Sequence, residues 1–315
     1  MAHYNIAFCG LGSIGKRHIR NVVTVLSKRG DSCRIDLFRS SRNAEIPDEL
    51  RPVIFKSYRY EDIWKTRDVY DVVFITNPTS VHYDTINKFE GKTRSFFIEK
   101  PVFSSIDIDE SFFDRFRNVV SYVACPLRYC AALSYIKKNV NYKNAFLVRA
   151  ISSSYLPDWR PGQDYRNCYS AHRNMGGGVG IDLIHEWDYM TWLWGLPTKC
   201  YSIQDKISGL EIDSDDIAIY IGRNKQTVFE LHLDYFGRSS FRTLEIFLSD
   251  ETIRCDIENG KIEFLKAGKI VQLPSERDDY QIREIEHYFD ILNNKIINDS
   301  TMEHAYKVLK IAKGL

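Results

Sequence analysis

Near the N-terminus, Gly10-Leu11-Gly12-Ser13-Ile14-Gly15 follows an apolar run and opens a helical pattern. That context is what a dinucleotide-binding turn requires. The first glycine permits the tight turn, the second lets a pyrophosphate approach the backbone, and the third lets the helix pack on the strand. The helix N-terminus, from Gly12 through Ser13 and Ile14, then offers unpaired N–H groups and partial positive charge to phosphate. The next strand ends Leu37-Phe38-Arg39-Ser40-Ser41-Arg42. The guanidiniums of Arg39 and Arg42 and the hydroxyl of Ser40 suit a ribose 2′-phosphate, so NADP is favoured and NAD remains possible. A strand ending earlier would instead place Asp36 where an NAD enzyme binds the 2′-hydroxyl.

Two further groups of residues suit proton transfer. Lys100 follows the run Ser95–Glu99 and precedes Pro101. A lysine at the carboxyl end of a parallel strand stands at the crevice where ligands bind, and its ammonium can stabilise a developing alkoxide. In the apolar stretch after Gly176-Gly177-Gly178, Asp182, His185 and Asp188 recur three apart. On one helix they would form a single inclined row. Burying such groups is costly unless they are paired or functional, and histidine is the group fitted to exchange a hydroxyl proton near neutrality. A satisfied interior histidine beside a capping aspartate is the other reading.

These residues need a frame that holds them. Strands are expected at Tyr4–Cys9, Arg34–Phe38, Asp71–Thr76, Ser95–Glu99 and Ser121–Ala124, with helices at Ile14–Arg29 and Val81–Phe89. Strands alternating with helices imply a parallel sheet with right-handed crossovers. From Cys200 to Leu273 strands follow one another without helices, which implies a mixed or antiparallel sheet. The fold class is thus α/β. A doubly wound N-terminal domain of residues 1–125 precedes an α+β domain of residues 126–315. Its last helices are expected at Tyr280–Leu292 and Thr301–Ala312, and the apolar helix is expected to run unbroken to Trp194.

Composition excludes several classes. The 315 residues carry 43 Lys and Arg against 42 Asp and Glu, so no global charge draws the chain to nucleic acid or a membrane surface. No apolar run approaches bilayer length, and no secretory leader is evident. Seven scattered cysteines without a C-x-x-C pair predict reduced thiols in a cytoplasmic protein and no metal site.

Taken together, Gly10–Gly15, Asn77-Pro78-Thr79-Ser80-Val81-His82, Glu99-Lys100-Pro101 and Gly176–Gly178 leading to Asp182, His185 and Asp188 resemble the glucose–fructose oxidoreductase and inositol dehydrogenase (Gfo/Idh/MocA-type) family. The resemblance implies a Rossmann domain and a catalytic domain on a large open sheet, through which homodimers or homotetramers form. It implies that Lys100 and His185 flank the reacting carbon with Asp182 beside them. It implies that Asn77, Pro78 and His82 belong to the cofactor site and that Glu99 lies near the nicotinamide ribose. The family's usual spacing between its aspartate and histidine is four, whereas Asp182 and His185 are three apart, so Asp188 is an alternative partner. Tyr155 to Arg166 resembles a subgroup of bacterial surface-polysaccharide and nonulosonic-acid pathways. In that loop Trp159 could stack on a sugar, and Arg160, Arg166 and the more distant Arg128 could grip a carboxylate or phosphate. Each arginine could equally serve a structural salt bridge, and Trp159 the core. The expected activity is hydride transfer between nicotinamide and a sugar hydroxyl or ketone, the sugar being nucleotide-linked or acidic. A dinucleotide-binding regulator without turnover, or a lyase or hydrolase working through transient oxidation, are the rivals.

Overall fold

The computed structural model describes residues 1–40, 45–66 and 69–315. The chain divides into two compact units, Met1–Ala124 with Gln281–Tyr306 and Cys125–Tyr280 with Lys307–Leu315.

The first unit is built on six parallel strands. These are β1 (His3–Cys9), β2 (Ser32–Arg39), β3 (Ile54–Arg59), β4 (Val72–Ile75), β5 (Ser95–Ile98) and β6 (Val120–Val123), in the order β3-β2-β1-β4-β5-β6. The order reverses between β1 and β4, the switch point at which such sheets open a crevice. Helices α1 (Ser13–Lys28), α2 (His82–Lys88) and α3 (Ser111–Asp114) belong to its connections. One aromatic residue from each central strand faces the next. Phe8 stacks on Phe74 at 4.4 Å, Phe74 on Phe97 at 4.8 Å, and Phe97 on Tyr122 at 5.4 Å between ring centres. The strand registers pair these same residues, so the ladder fixes register as well as core. Strand β3 has no such signal in the sequence, because its edge position leaves Phe55, Lys56 and Arg59 exposed.

The second unit holds α4 (Ala131–Asn139), the strand β7 (Leu147–Tyr155), and helices α5 (Val179–Asp182) and α6 (His185–Trp194). Strands β8 (Lys199–Asp205), β9 (Ile217–Arg223), β10 (Val228–Asp234), β11 (Phe236–Phe247), β12 (Thr252–Asp256), β13 (Lys261–Phe264) and β14 (Lys269–Gln272) follow. They form an eight-stranded sheet in the order β14-β13-β12-β11-β7-β10-β9-β8. Only the β7–β10 pair is parallel among the described pairings. Trp187 of α6 is fully buried and sits edge-on to Tyr220 of β9 at 5.4 Å.

Two expectations are corrected here. The second domain does not run unbroken to residue 315, because helix α7 (Arg277–Leu292) carries the chain back into the first unit. There Ile285, Tyr288 and Phe289 join the core, and the Tyr288 hydroxyl bonds Ser95 Oγ at 2.6 Å. The final helix, α8 (Met302–Ala312), returns to the second unit from Lys307. The apolar helix is also not continuous: it breaks at Leu183 and Ile184, between Asp182 and His185. No helix among the described residues is long and apolar enough to cross a membrane.

Candidate active site

The first unit gathers its candidate residues at the carboxyl ends of its strands. Gly10–Gly15 follows β1, Arg39 ends β2, Asn77 and Pro78 follow β4, and Glu99 and Lys100 follow β5. The glycine turn fits a dinucleotide by geometry. Gly10 has φ +108°, and a Cβ there would lie 2.8 Å from the Thr76 carbonyl oxygen. A Cβ on Gly15 would come within 2.5 Å of the Gly10 carbonyl oxygen. Gly12 is different: nothing lies within 4 Å of where its Cβ would be, so the turn presents open space to a ligand. As the residue before α1, Gly12 brings no side chain to cap the helix, and the first turn holds no acid. Its first N–H groups therefore face outward without a competing carboxylate.

At the end of β2 the backbone remains extended to Arg39, so Asp36 lies within the strand. Asp36 is buried and accepts a hydrogen bond from the Tyr70 hydroxyl at 2.9 Å, with Arg34 at 3.5 Å. It is a core acid and not a ribose ligand. Arg39 is mostly buried and donates through Nε to Ser57 Oγ at 3.0 Å, while the neighbouring Ser40 is exposed. Arg42 lies outside the described residues.

His82 does not reach a ligand. It is fully buried, and its ring nitrogens lie 3.0 Å from the Asn77 carbonyl oxygen and 3.2 Å from that of Val102. Burial, which outweighs those hydrogen bonds, holds its pKa below the usual imidazole value. The expected place of His82 in the cofactor site is corrected to a brace for the turn at Asn77. Asn77 in turn donates to Thr85 Oγ1 at 2.8 Å.

Lys100 is half-buried, and its bond to Pro101 is cis. Its own N–H donates to Glu99 Oε2 at 3.3 Å, and Glu99 Oε1 lies 2.5 Å from His18 Nε2. Burial pushes the Glu99 carboxyl up, but the His18 hydrogen bond and the charges of His18, Lys100 and His82 win and hold it below the usual range. His18 was not singled out in the sequence; its place three residues after Gly15, on the side of α1 that faces the sheet, is the signal that marks it.

In the second unit Asp182 ends α5 and His185 begins α6. The N–H groups of Ile184 and Glu186 each bond three residues back, to Ile181 and Leu183 at 3.3 Å, so the helix tightens and turns at the break. The acids on either side are pulled to different anchors. Asp182 accepts a short hydrogen bond from the Tyr235 hydroxyl, and its charge also acts on the Tyr169 phenol. Both phenols are raised above their ordinary pKa by burial and then by the Asp182 charge. Past the break, Asp188 is gripped by Arg128 through Nε at 2.8 Å and Nη2 at 2.6 Å, with Cys125 Sγ at 2.9 Å. Glu186 is fully buried and pairs with Arg242 at 2.6 Å. His185 itself is half-buried.

This geometry corrects the expected row and two site assignments. Asp182, His185 and Asp188 do not share a helix. Arg128 and Asp188 are buried partners, so the guanidinium of Arg128 is already engaged within the fold. Arg166 is exposed and spends its guanidinium on Asp164 and Glu211. Arg160 has no carboxylate partner among the described residues and lies over the Tyr169 ring at 5.3 Å. Trp159 donates to Ser154 Oγ and meets Tyr235 edge-on at 5.2 Å. Tyr169, Tyr235, Trp159 and Arg160 thus form one connected group around Asp182. Tyr169 carried no signal in the sequence, since its loop has no periodicity. Among the described residues no set of His, Cys, Asp and Glu is placed to hold a metal ion.

Comparison with known proteins agrees with this frame. Residues 4–116 match the Gfo/Idh/MocA oxidoreductase family, NAD-binding Rossmann fold. No curated protein sequence matches the chain. Among solved structures, UDP-N-acetylglucosamine 3-dehydrogenase from Acidithiobacillus ferrooxidans superposes with a TM-score of 0.78 at 19% identity, covering 99% of this chain and 96% of that one. Levoglucosan dehydrogenase, solved with NADH and levoglucosan, gives 0.81 at 16% identity over 99% and 96%. The scyllo-inositol dehydrogenase of Lactobacillus casei gives 0.77 at 18% identity over 100% and 95%. At these identities the structures establish a shared fold across both units, while the glycine turn and its flanking strand and helix lie inside the matched segment. The N-terminal unit is thus similar to the NAD-binding Rossmann domain of the Gfo/Idh/MocA oxidoreductase family.

Proposed function

We propose that this protein transfers hydride between NADP and a hydroxyl or ketone carbon of an anionic sugar, nucleotide-linked or acidic. The observation that carries the reading is the placing of Lys100 on the same sheet edge as the dinucleotide turn, two strands from it. Bound nicotinamide supplies the hydride chemistry, and the protein supplies position and charge. The Lys100 ammonium stabilises the substrate oxygen as it gains negative charge. His185 exchanges the hydroxyl proton. Asp182, held by the Tyr235 hydroxyl, sets the field at the histidine. The first-turn N–H groups of α1 and the open space at Gly12 take the pyrophosphate.

The preference for NADP rests on the end of β2, where Arg39 and Ser40 stand and the strand's own acid, Asp36, is engaged with Tyr70. The anionic substrate rests on Arg160, which lies over the Tyr169 ring with no carboxylate partner among the described residues. The solved relatives act, by name, on sugars and cyclitols, one of them nucleotide-linked. The proposal also includes a homodimer or homotetramer through the eight-stranded sheet. One face of that sheet exposes Tyr201, Ile203 and Ile221, and a single cross-strand row there carries Glu230, Arg149, Glu245, Arg254 and Glu263 in alternating charge. Such a row complements itself about a two-fold axis. The proposal places the enzyme in the cytoplasm, where its free thiols stay reduced, with neither nucleic acid nor membrane as partner.

The test is absorbance at the reduced-nicotinamide band with a panel of sugar acids and nucleotide sugars. Lys100→Ala and His185→Ala should abolish turnover while cofactor still binds. Near-normal turnover in both variants removes this mechanism, and absence of turnover with every sugar favours the regulator.

A further inference from the structure

A buried histidine and glutamate join the two segments of the first unit that the proposed chemistry uses. His18 stands on α1, the helix whose N-terminus receives the pyrophosphate in that reading, and Glu99 immediately precedes Lys100. His18 is 2% exposed, with its Nε2 2.5 Å from Glu99 Oε1. Its other nitrogen, Nδ1, is buried without a hydrogen-bond partner. The ring is held edge-on by Phe97 at 4.9 Å and tilted against Phe74 at 6.0 Å. With one carboxylate oxygen on His18, Glu99 turns the other to the N–H of Lys100.

Such a pair is a poor device for stability alone. Taking a carboxylate out of water costs more than most pairs return, and two apolar side chains packed against Phe74 and Phe97 would serve as well. What the pair does supply is direction. It fixes a negative charge beside the lysine, and it ties the orientation of the Glu99–Lys100 backbone to the position of α1. We propose that His18 is a positioning residue that acts through Glu99 on Lys100, so that the helix receiving the dinucleotide also sets the lysine that meets the substrate. The inference rests on the oxidoreductase reading given above. The groups facing Glu99 are His18, Lys100 and His82, and each of them favours its ionised form.

The experiment compares His18→Phe, which keeps a ring and removes the donor, with His18→Gln, whose amide keeps a donor of similar reach. In the cofactor-free protein, carbon-13 NMR of labelled glutamate follows the Glu99 carboxyl without any turnover. Wild type and His18→Gln should titrate below the ordinary glutamate value of about 4.3, and His18→Phe above it. With substrate, kcat of His18→Phe should fall about tenfold to a hundredfold with the sugar KM little changed, as expected of a misplaced group. Its acid limb should move to higher pH, because a Glu99 with a raised pKa is protonated earlier as pH falls. His18→Gln should recover most of the loss. Should His18→Phe strand the carboxylate and fail to fold, His18→Phe/Glu99→Gln removes both partners, and its kcat should equal that of Glu99→Gln alone. An unmoved Glu99 titration, a pH profile superimposable on wild type, or a double variant far slower than Glu99→Gln overturns the inference. A wild type that turns over no sugar would instead overturn the oxidoreductase reading, and the titration would still stand.

Discussion

The turn after β1 and the helix that begins at His185 position their chemistry by opposite means. At the turn the work is done by missing atoms: Gly10 and Gly15 let backbone pass within contact of Thr76 and of the turn itself, and no ion pair holds Gly10–Gly15 in place. At α6 the work is done by buried charge. Arg242 takes Glu186, Arg128 takes Asp188, and Tyr235 takes Asp182. His185 is half-buried. A site made of backbone tolerates almost no added volume. A site made of ion pairs tolerates almost no lost partner, because the surviving charge remains buried.

The largest effect should therefore come from stranding a charge at α6. Arg128→Met leaves the Asp188 carboxylate buried beside the Cys125 thiol without its cation, and the expected loss is about 3–5 kcal/mol of unfolding free energy. That is a large share of the roughly 5–15 kcal/mol that holds a typical domain together. Replacing both partners, as Arg128→Met with Asp188→Leu, should restore most of it. Urea unfolding of the three proteins measures this, and equal losses in the single and double variants would show that α6 depends on packing and not on the pair.

The turn should respond next, and unevenly. Gly10→Ala forces a Cβ against the Thr76 carbonyl at a φ that other residues rarely adopt, at a cost of about 1–3 kcal/mol. Gly12→Ala has ordinary φ of −70° and open space, so its unfolding free energy should stay within about 0.5 kcal/mol of wild type. Its effect should fall on dinucleotide affinity. Calorimetric titration with NADPH beside thermal melts separates the two glycines, and a Gly12→Ala protein that binds as wild type would remove pyrophosphate from that surface.

The same contrast explains how much the sequence revealed. The turn was legible because its requirements are local: six consecutive residues, a strand before and a helix after. The apolar runs of β1, β4 and β5 were legible for the same reason. The anchors of α6 were not, because Arg128 and Arg242 lie 60 and 56 positions from Asp188 and Glu186, and nothing in spacing tells a buried partner from a ligand-binding arginine. The three-residue interval from Asp182 to His185 suggests a row on one helix; the structure breaks the helix at Leu183, and Asp182 bonds Tyr235, which a distant sheet brings to it. Residues 281–306 escape a boundary read from sequence likewise, since Tyr288 meets Phe97 and, across 193 positions of chain, Ser95.

The smallest expected effect tests whether the backbone-held region is also free of charge under acid. His82 lies fully buried between two carbonyl oxygens, with its pKa held below the ordinary value of about 6.5 chiefly by burial. A depressed histidine binds its proton more readily in the unfolded chain. Its contribution to stability is then complete above pH ~6.5 and is lost as pH falls toward the lower folded value. His82→Gln, which cannot titrate, should narrow its stability gap to wild type as the solution is taken from pH 7.5 to pH 5.5. Urea midpoints of the two proteins across that range give the gap directly. The carboxylates that titrate lower are common to both and cancel. A gap that widens as pH falls would mean instead that the two carbonyl oxygens hold His82 as an imidazolium in the folded protein. The brace beneath Asn77 would then be a buried charge, and the turn region would be held by the same kind of device as α6.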